Sequence, residues 1–235
     1  MKALILAAGL GTRLRPITDT RPKSMVEVNG KPIIFKQIDN LLENGIDDII
    51  IVAGYKSEMM IDATNKRYDK VKFIINDVYE ITNNMYSAYM AIDHMYGSEF
   101  LLMNADVFYD SVILKELIKN EYSNSIVVEE GIYNDENMKV SCIGDRIMKI
   151  SKLIPEDDAY GVSIDIYKFS KEGSKAFFDK VKEFIEDKKE LNQWTEVALN
   201  EVLKSVEFKQ CPLNGRWMEI DNHEDLKRAE NIFND

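Results

Sequence analysis

Apolar and polar positions follow two different rhythms through the first half of the chain. Lys2-Ala-Leu-Ile-Leu-Ala-Ala8 and Asp48-Ile-Ile-Ile-Val-Ala53 are short, nearly continuous apolar runs, which suit strands covered on both faces of a parallel sheet. Between them Ile33, Ile34, Ile38, Leu41 and Leu42 recur at helical spacing behind Pro32 and stop near Gly45. That spacing predicts a helix with proline in its first turn and glycine past its end. Further on, the pattern predicts a helix from about Ser57, a strand over 71–75, and a helix capped by Asn84 and running towards Tyr96. A strand over 100–103 then leads into Asn104-Ala-Asp106.

The second half is less regular. Ser125 to Glu130, Lys139 to Cys142 and Tyr160 to Phe169 read as strands, with a turn at 134–137. A helix is expected from Lys171 to Asp187 with its charges on a solvated face, another near Trp194, and a last one after Asn222. The alternation predicts an α/β fold: a doubly wound, mostly parallel, Rossmann-like sheet flanked by helices, with a mixed β subregion in the second half. No repeat, low-complexity tract or linker divides the chain, so residues 1–235 are expected to form a single domain, although the length also accommodates two small ones.

Composition narrows the partners. The chain carries 41 acidic and 30 basic residues, a formal charge of −11, and has a sequence pI near 4.8. Such a balance argues against nucleic acid and anionic membranes as partners, since both need a basic face. Cys142 and Cys211 lack CxxC spacing and read as reduced thiols. The apolar run Ala3 to Leu10 is short and leads into Gly-Thr-Arg-Leu-Arg-Pro rather than a small-residue cleavage site. No run approaches a membrane span. A soluble, cytoplasmic protein is expected.

Against this acidic background the basic residues near the N-terminus form a local cluster. The first strand ends in Gly9-Leu-Gly11-Thr12-Arg13-Leu14-Arg15-Pro16, followed by Arg21-Pro22-Lys23-Ser24-Met25 and Gly30-Lys31-Pro32. Glycines after a strand let backbone N–H groups approach a ligand, and Arg and Lys suit phosphate oxygens. Two familiar phosphate loops fail on the letters. A dinucleotide loop needs glycine where Leu14 stands, and a P-loop needs Gly-Lys-Ser or Gly-Lys-Thr, which does not occur. His94 and His223 have no serine or cysteine partner pattern, which disfavours a hydrolase triad.

The segment from Leu6 to Pro32 resembles the signature of the nucleotidyltransferases that activate phosphorylated sugars and small alcohols: L-A-A-G-x-G-T-R-L-x-P, then P-K-x-M, then G-K-P. The resemblance implies a nucleotide-binding N-terminal half and an acceptor-binding C-terminal half. It implies nucleotide contacts from Leu6, Ala7, Ala8, Gly9, Gly11 and Thr12, and catalytic phosphate contacts from Arg13 and Lys23. It further implies Mg²⁺ held by Asp106 and by Asp221 of Trp217-Met-Glu-Ile-Asp221; oxygen ligands are what Mg²⁺ prefers. Asn83-Asn84-x-Tyr86-Ser87 is similar to the branch that uses CTP and a small phosphorylated acceptor, which adds Asn83, Asn84 and Ser87 to the nucleotide site. Capping and base contact are both open to the asparagines. Tyr79 and Tyr86 suit core or rim positions as well as ligand contact, and Trp217 suits the core as well as the acceptor site. Lys152, Trp194 and Glu196 fall where relatives bind the acceptor, and a Trp face with a carboxylate suits an ammonium group.

The implied reaction is CMP transfer from CTP to a phosphocholine- or phosphoglutamine-like acceptor for cell-surface or capsule precursors. Two alternatives stay open: a sugar-1-phosphate uridylyl-, thymidylyl- or guanylyltransferase, and a catalytically silent nucleotide sensor. A homodimer is compatible with the sequence.

Overall fold

The computed structural model describes residues 1–131, 133 and 136–234. Within the turn expected over 134–137, Asn134 and Asp135 lie outside the described residues, while Glu136 and Asn137 bend the chain. The elements run β1 Lys2–Ala7, the hairpin β2 Glu27–Val28 and β3 Lys31–Pro32, α1 Ile33–Glu43, β4 Ile49–Ala53, α2 Ser57–Asn65 and β5 Val71–Ile75. Then come α3 Asn84–Met90, α4 Ile92–Met95, β6 Phe100–Asn104, β7 Val107–Tyr109, α5 Ser111–Lys119, β8 Ser125–Glu130, β9 Lys139–Ile143 and β10 Arg146–Ser151. The chain closes with β11 Gly161–Phe169, α6 Lys171–Lys182, α7 Thr195–Leu203, β12 Lys209–Pro212, β13 Trp217–Glu219 and α8 His223–Ile232.

One nine-stranded sheet runs β5-β4-β1-β6-β11-β8-β12-β10-β9. Its first four strands are mutually parallel. From β11 onwards most pairings are antiparallel, with β8 and β12 the parallel exception. This is the α/β layout expected, with the mixed region built from the second half. The apolar runs became the central parallel strands because both faces are covered. Leu4 and Leu6 of β1 point into a core shared with Met85, Phe177 and Leu199, whereas Ala3, Ile5 and Ala7 point into one shared with Ile34, Ile38 and Leu117. Fully burying one such aliphatic side chain is worth about 1.5–3 kcal/mol.

Strand order reverses between β1 and β6, since the chain builds outward through β4 and β5 before returning to β6 on the other side of β1. Beyond the carboxyl ends of strands flanking such a reversal lies the crevice where ligands collect. The C-terminal segment closes over the same end. There β13 pairs with β7, and Ile220, Leu226 and Ala229 pack with Leu14, Val28 and Ile33.

Several expectations shift. Asn83, not Asn84, caps α3: its side chain accepts from the Asn84 amide at 2.8 Å. The helix expected to reach Tyr96 is interrupted at Ala91. The helix expected through Asp187 is α-helical to Lys182 and widens into a π-type turn over Glu183–Asp187. Helix α5 and strands β7, β10, β12 and β13 carried no sequence expectation. Trp194 and Asn222 do stand at the starts of α7 and α8, and Asn222 accepts from the amides of Glu224 and Asp225. None of the helices among the described residues is long and apolar enough to cross a membrane.

Candidate active site

A cleft of about 470 Å³ opens over the ends of β1 and β6. Every site residue expected from the sequence lines it. Leu6, Ala7 and Ala8 form its floor at the end of β1, and Gly9 begins the loop. Gly11 has φ +62, a left-handed conformation in which glycine avoids the usual Cβ penalty. A Cβ there would lie 2.8 Å from the Lys23 Cβ, so the loop rests directly on the lysine stem. The Thr18 hydroxyl donates to the Gly11 carbonyl at 2.8 Å, and Thr12 and Arg13 follow in a single helical turn.

Four charged residues far apart in sequence meet here. Lys23 Nζ lies 2.7 Å from Asp106 Oδ2 and 2.6 Å from Asp221 Oδ1, and Arg13 Nη2 lies 2.8 Å from Asp221 Oδ2. Burial opposes the charge on Lys23, but the two carboxylates outweigh it and its pKa rises. Burial likewise opposes the Asp221 charge, and Lys23 and Arg13 outweigh it, so its pKa falls. Asp106 follows β6, and Asp221 follows β13 immediately before the Asn222 cap.

Glu219 joins Asp106 and Asp221, their carboxylate oxygens lying within 4.8 Å of one another. Burial and then the surrounding carboxylates push the Glu219 pKa well up. Asp106 Oδ1 is buried without a hydrogen-bond partner. An orphaned carboxylate oxygen beside two further carboxylates is a donor set that fits Mg²⁺, which takes oxygen ligands. Sequence reading missed Glu219, although it stands two residues before Asp221, the same-face spacing of a strand.

The asparagines form the adjoining wall. Asn83 donates to Asn192 Oδ1 at 3.3 Å besides capping α3. Asn84 Oδ1 accepts from the Thr195 amide at 2.9 Å, tying α3 to the start of α7, while its Nδ2 reaches Asn104 Oδ1 at 3.5 Å. Ser87 is buried and pairs with Asn76, another cleft residue given no role from sequence. Tyr79 lines the cleft and Trp217 packs against the core.

Farther along the cleft Trp194 is 44% exposed, and Lys152 Nζ sits 5.4 Å from its ring centroid and 3.7 Å from Glu136. Glu196 is buried and accepts from the hydroxyl of Thr195. Asp165, also unforeseen, lines the same region and accepts from Asn104 Nδ2 at 2.9 Å. Tyr167 Oη lies 2.8 Å from both Asp165 Oδ1 and Glu196 Oε1. Burial, then the Glu196 and Asp106 charges, push Asp165 up to about 7, and burial also raises Glu196.

A glycine turn, a Lys–Arg pair and a carboxylate trio at a sheet reversal define a class that handles polyphosphates. The nucleotidyl transferase family model matches residues 2–235, and the chain belongs to that family. Choline-phosphate cytidylyltransferase of Streptococcus pneumoniae is 43% identical over 125 residues, 53% of this chain and 51% of that protein. CTP:phosphoglutamine cytidylyltransferase of Campylobacter jejuni is 29% identical over 251 residues, spanning 97% of this chain and 98% of its own. The chain spans about half the length of the first curated relatives it matches. Among solved structures, CTP:phosphocholine cytidylyltransferase from Streptococcus pneumoniae superposes with a TM-score of 0.80 at 28% identity, covering 98% of each chain.

Proposed function

We propose that this chain, acting as one domain in the cytoplasm, is a cytidylyltransferase. CTP and a small phosphorylated acceptor, phosphocholine- or phosphoglutamine-like, give a CDP-acceptor and pyrophosphate. The observation that carries the reading is the meeting of Lys23 and Arg13 with Asp106 and Asp221 against the Gly11 turn. CTP is supported by the Asn83-Asn84-x-Tyr86-Ser87 segment and by the two relatives whose names include cytidylyl transfer.

An acceptor phosphate oxygen attacks the α-phosphorus; that P–O bond forms as the bond to pyrophosphate breaks. The nucleophile needs no base, because a phosphate monoester loses its second proton near pH 6. Arg13, Lys23 and the loop amides neutralise the charge that builds on the departing pyrophosphate. Asp106, Glu219 and Asp221 would hold Mg²⁺, which when bound supplies further charge neutralisation at the phosphates. Lys152 is assigned to the acceptor phosphate, and the Trp194 face with Glu196 to a cationic head group.

A grid of CTP, UTP, dTTP and GTP against phosphocholine, phosphoethanolamine, phosphoglutamine, glycerol phosphate and sugar 1-phosphates, read by pyrophosphate release, tests this. CTP with an ammonium-bearing acceptor is expected to be fastest. A sugar 1-phosphate with UTP leading the grid overturns the acceptor reading, and silence throughout favours a nucleotide sensor.

A further inference from the structure

The ammonium of Lys23 stands among the carboxylates that a metal ion would need. Asp106 Oδ2 and Asp221 Oδ1 already bind it, and Arg13 holds the second oxygen of Asp221. These are two of the three carboxylates in the oxygen cluster, so a divalent ion entering it meets resident positive charge. An ammonium has three donors and no acceptor, and two of those donors are spent here. Because Gly11 lies against the lysine stem, the loop that would cradle phosphates is already beside this side chain. A flexible four-carbon stem lets the ammonium turn from carboxylate to phosphate without backbone movement.

We infer that Lys23 is a resident counter-cation that keeps divalent ions off the carboxylate cluster until a nucleoside triphosphate draws it away. Nucleotide and metal then bind as a cooperative pair, each strengthening the other by the same factor. The inference rests on the reading of the cleft as a triphosphate site.

The test is Mn²⁺ binding to nucleotide-free protein, followed by electron paramagnetic resonance. Lys23→Met is expected to bind Mn²⁺ about tenfold or more tightly than wild type, within the usual range of coupling factors. Lys23→Arg, which keeps the charge, should stay near wild type, and adding Asp221→Asn to Lys23→Met should remove the gain. Mn²⁺ binding by folded Lys23→Met that is no tighter than wild type overturns the inference. A second reading needs no Lys23 variant: Mg²⁺ alone should leave the wild-type melting temperature unchanged. A rise with Mg²⁺ alone that Asp106→Asn abolishes also overturns it. Equilibrium dialysis of CTP in the presence of saturating Mg²⁺ separates the two claims. CTP that does not bind overturns the triphosphate reading and the coupling with it, whereas CTP that binds beside an unchanged Lys23→Met titration overturns only the counter-cation.

Discussion

Asp165 is a charged residue in an otherwise largely apolar strand, and its backbone is unusual too. Its φ of +58 places a non-glycine residue in the left-handed region where the β11 register slips between Ser163 and Tyr167. Such strain costs on the order of 1–3 kcal/mol and persists only when the surroundings hold it. Tyr167 has one hydroxyl proton for two carboxylates, so the second 2.8 Å contact is best made when Asp165 or Glu196 keeps a proton. Burial and neighbouring carboxylates raise Asp165 to about 7. A raised acid stabilises the fold fully below its unfolded pKa of about 4. That contribution is lost as pH climbs through about 7. Asp165→Asn keeps a hydrogen-bonding amide in place and should flatten this loss, leaving the variant more stable than wild type at pH 8 in urea unfolding. A variant with an unchanged pH slope would remove Asp165 as its source. Nothing in the one-dimensional pattern exposed this group except a carboxylate inside a hydrophobic run.

At the scale of elements, Arg13 and Lys23 sit in single helical turns between β1 and β2, while Asp106 and Asp221 stand just beyond the ends of β6 and β13. Arg13 and Lys23 could be placed in the cleft from sequence because their motif is local and glycine-punctuated. Asp221 is placed by the next residue: the Asn222 cap fixes where β13 ends and α8 begins. Asn222→Ala should cost about 1 kcal/mol of stability, the usual loss for a cap, and Asn222→Asp should restore most of it. Urea denaturation of both variants checks this, and an unaffected Asn222→Ala protein would mean that packing of α8 alone sets the junction. Two of the elements not foreseen share a physical reason. Strands β12 and β13 have 4 and 3 residues, too few to display a period, and they are held by partners distant in the chain. Asn83 and Asn84 were interchangeable as caps by chemistry, and only the fold decided between them.

For the whole molecule, the parallel half of the sheet was legible because continuous apolar runs require cover on both faces, which here means helices. The antiparallel half was less legible, because its strands mix polar and apolar residues and gain their order from long-range pairing. The site inherits the same divide. Its glycine turn, Arg13 and Lys23 lie in the first half as a readable signature, while Asp165 and Glu219 came into view only with the fold. A protein of charge −11 gathers Arg13, Lys23 and Lys152 into one cleft, where Lys23 and Asp221 meet across 198 residues of chain. That convergence is tested most directly by the anomalous difference map of a crystal soaked with CTP and Mn²⁺. The account predicts a manganese peak among Asp106, Glu219 and Asp221, with the triphosphate against the Gly11 turn and Lys23 Nζ moved onto a phosphate oxygen. A nucleotide bound elsewhere, or manganese absent from those three carboxylates, would contradict it.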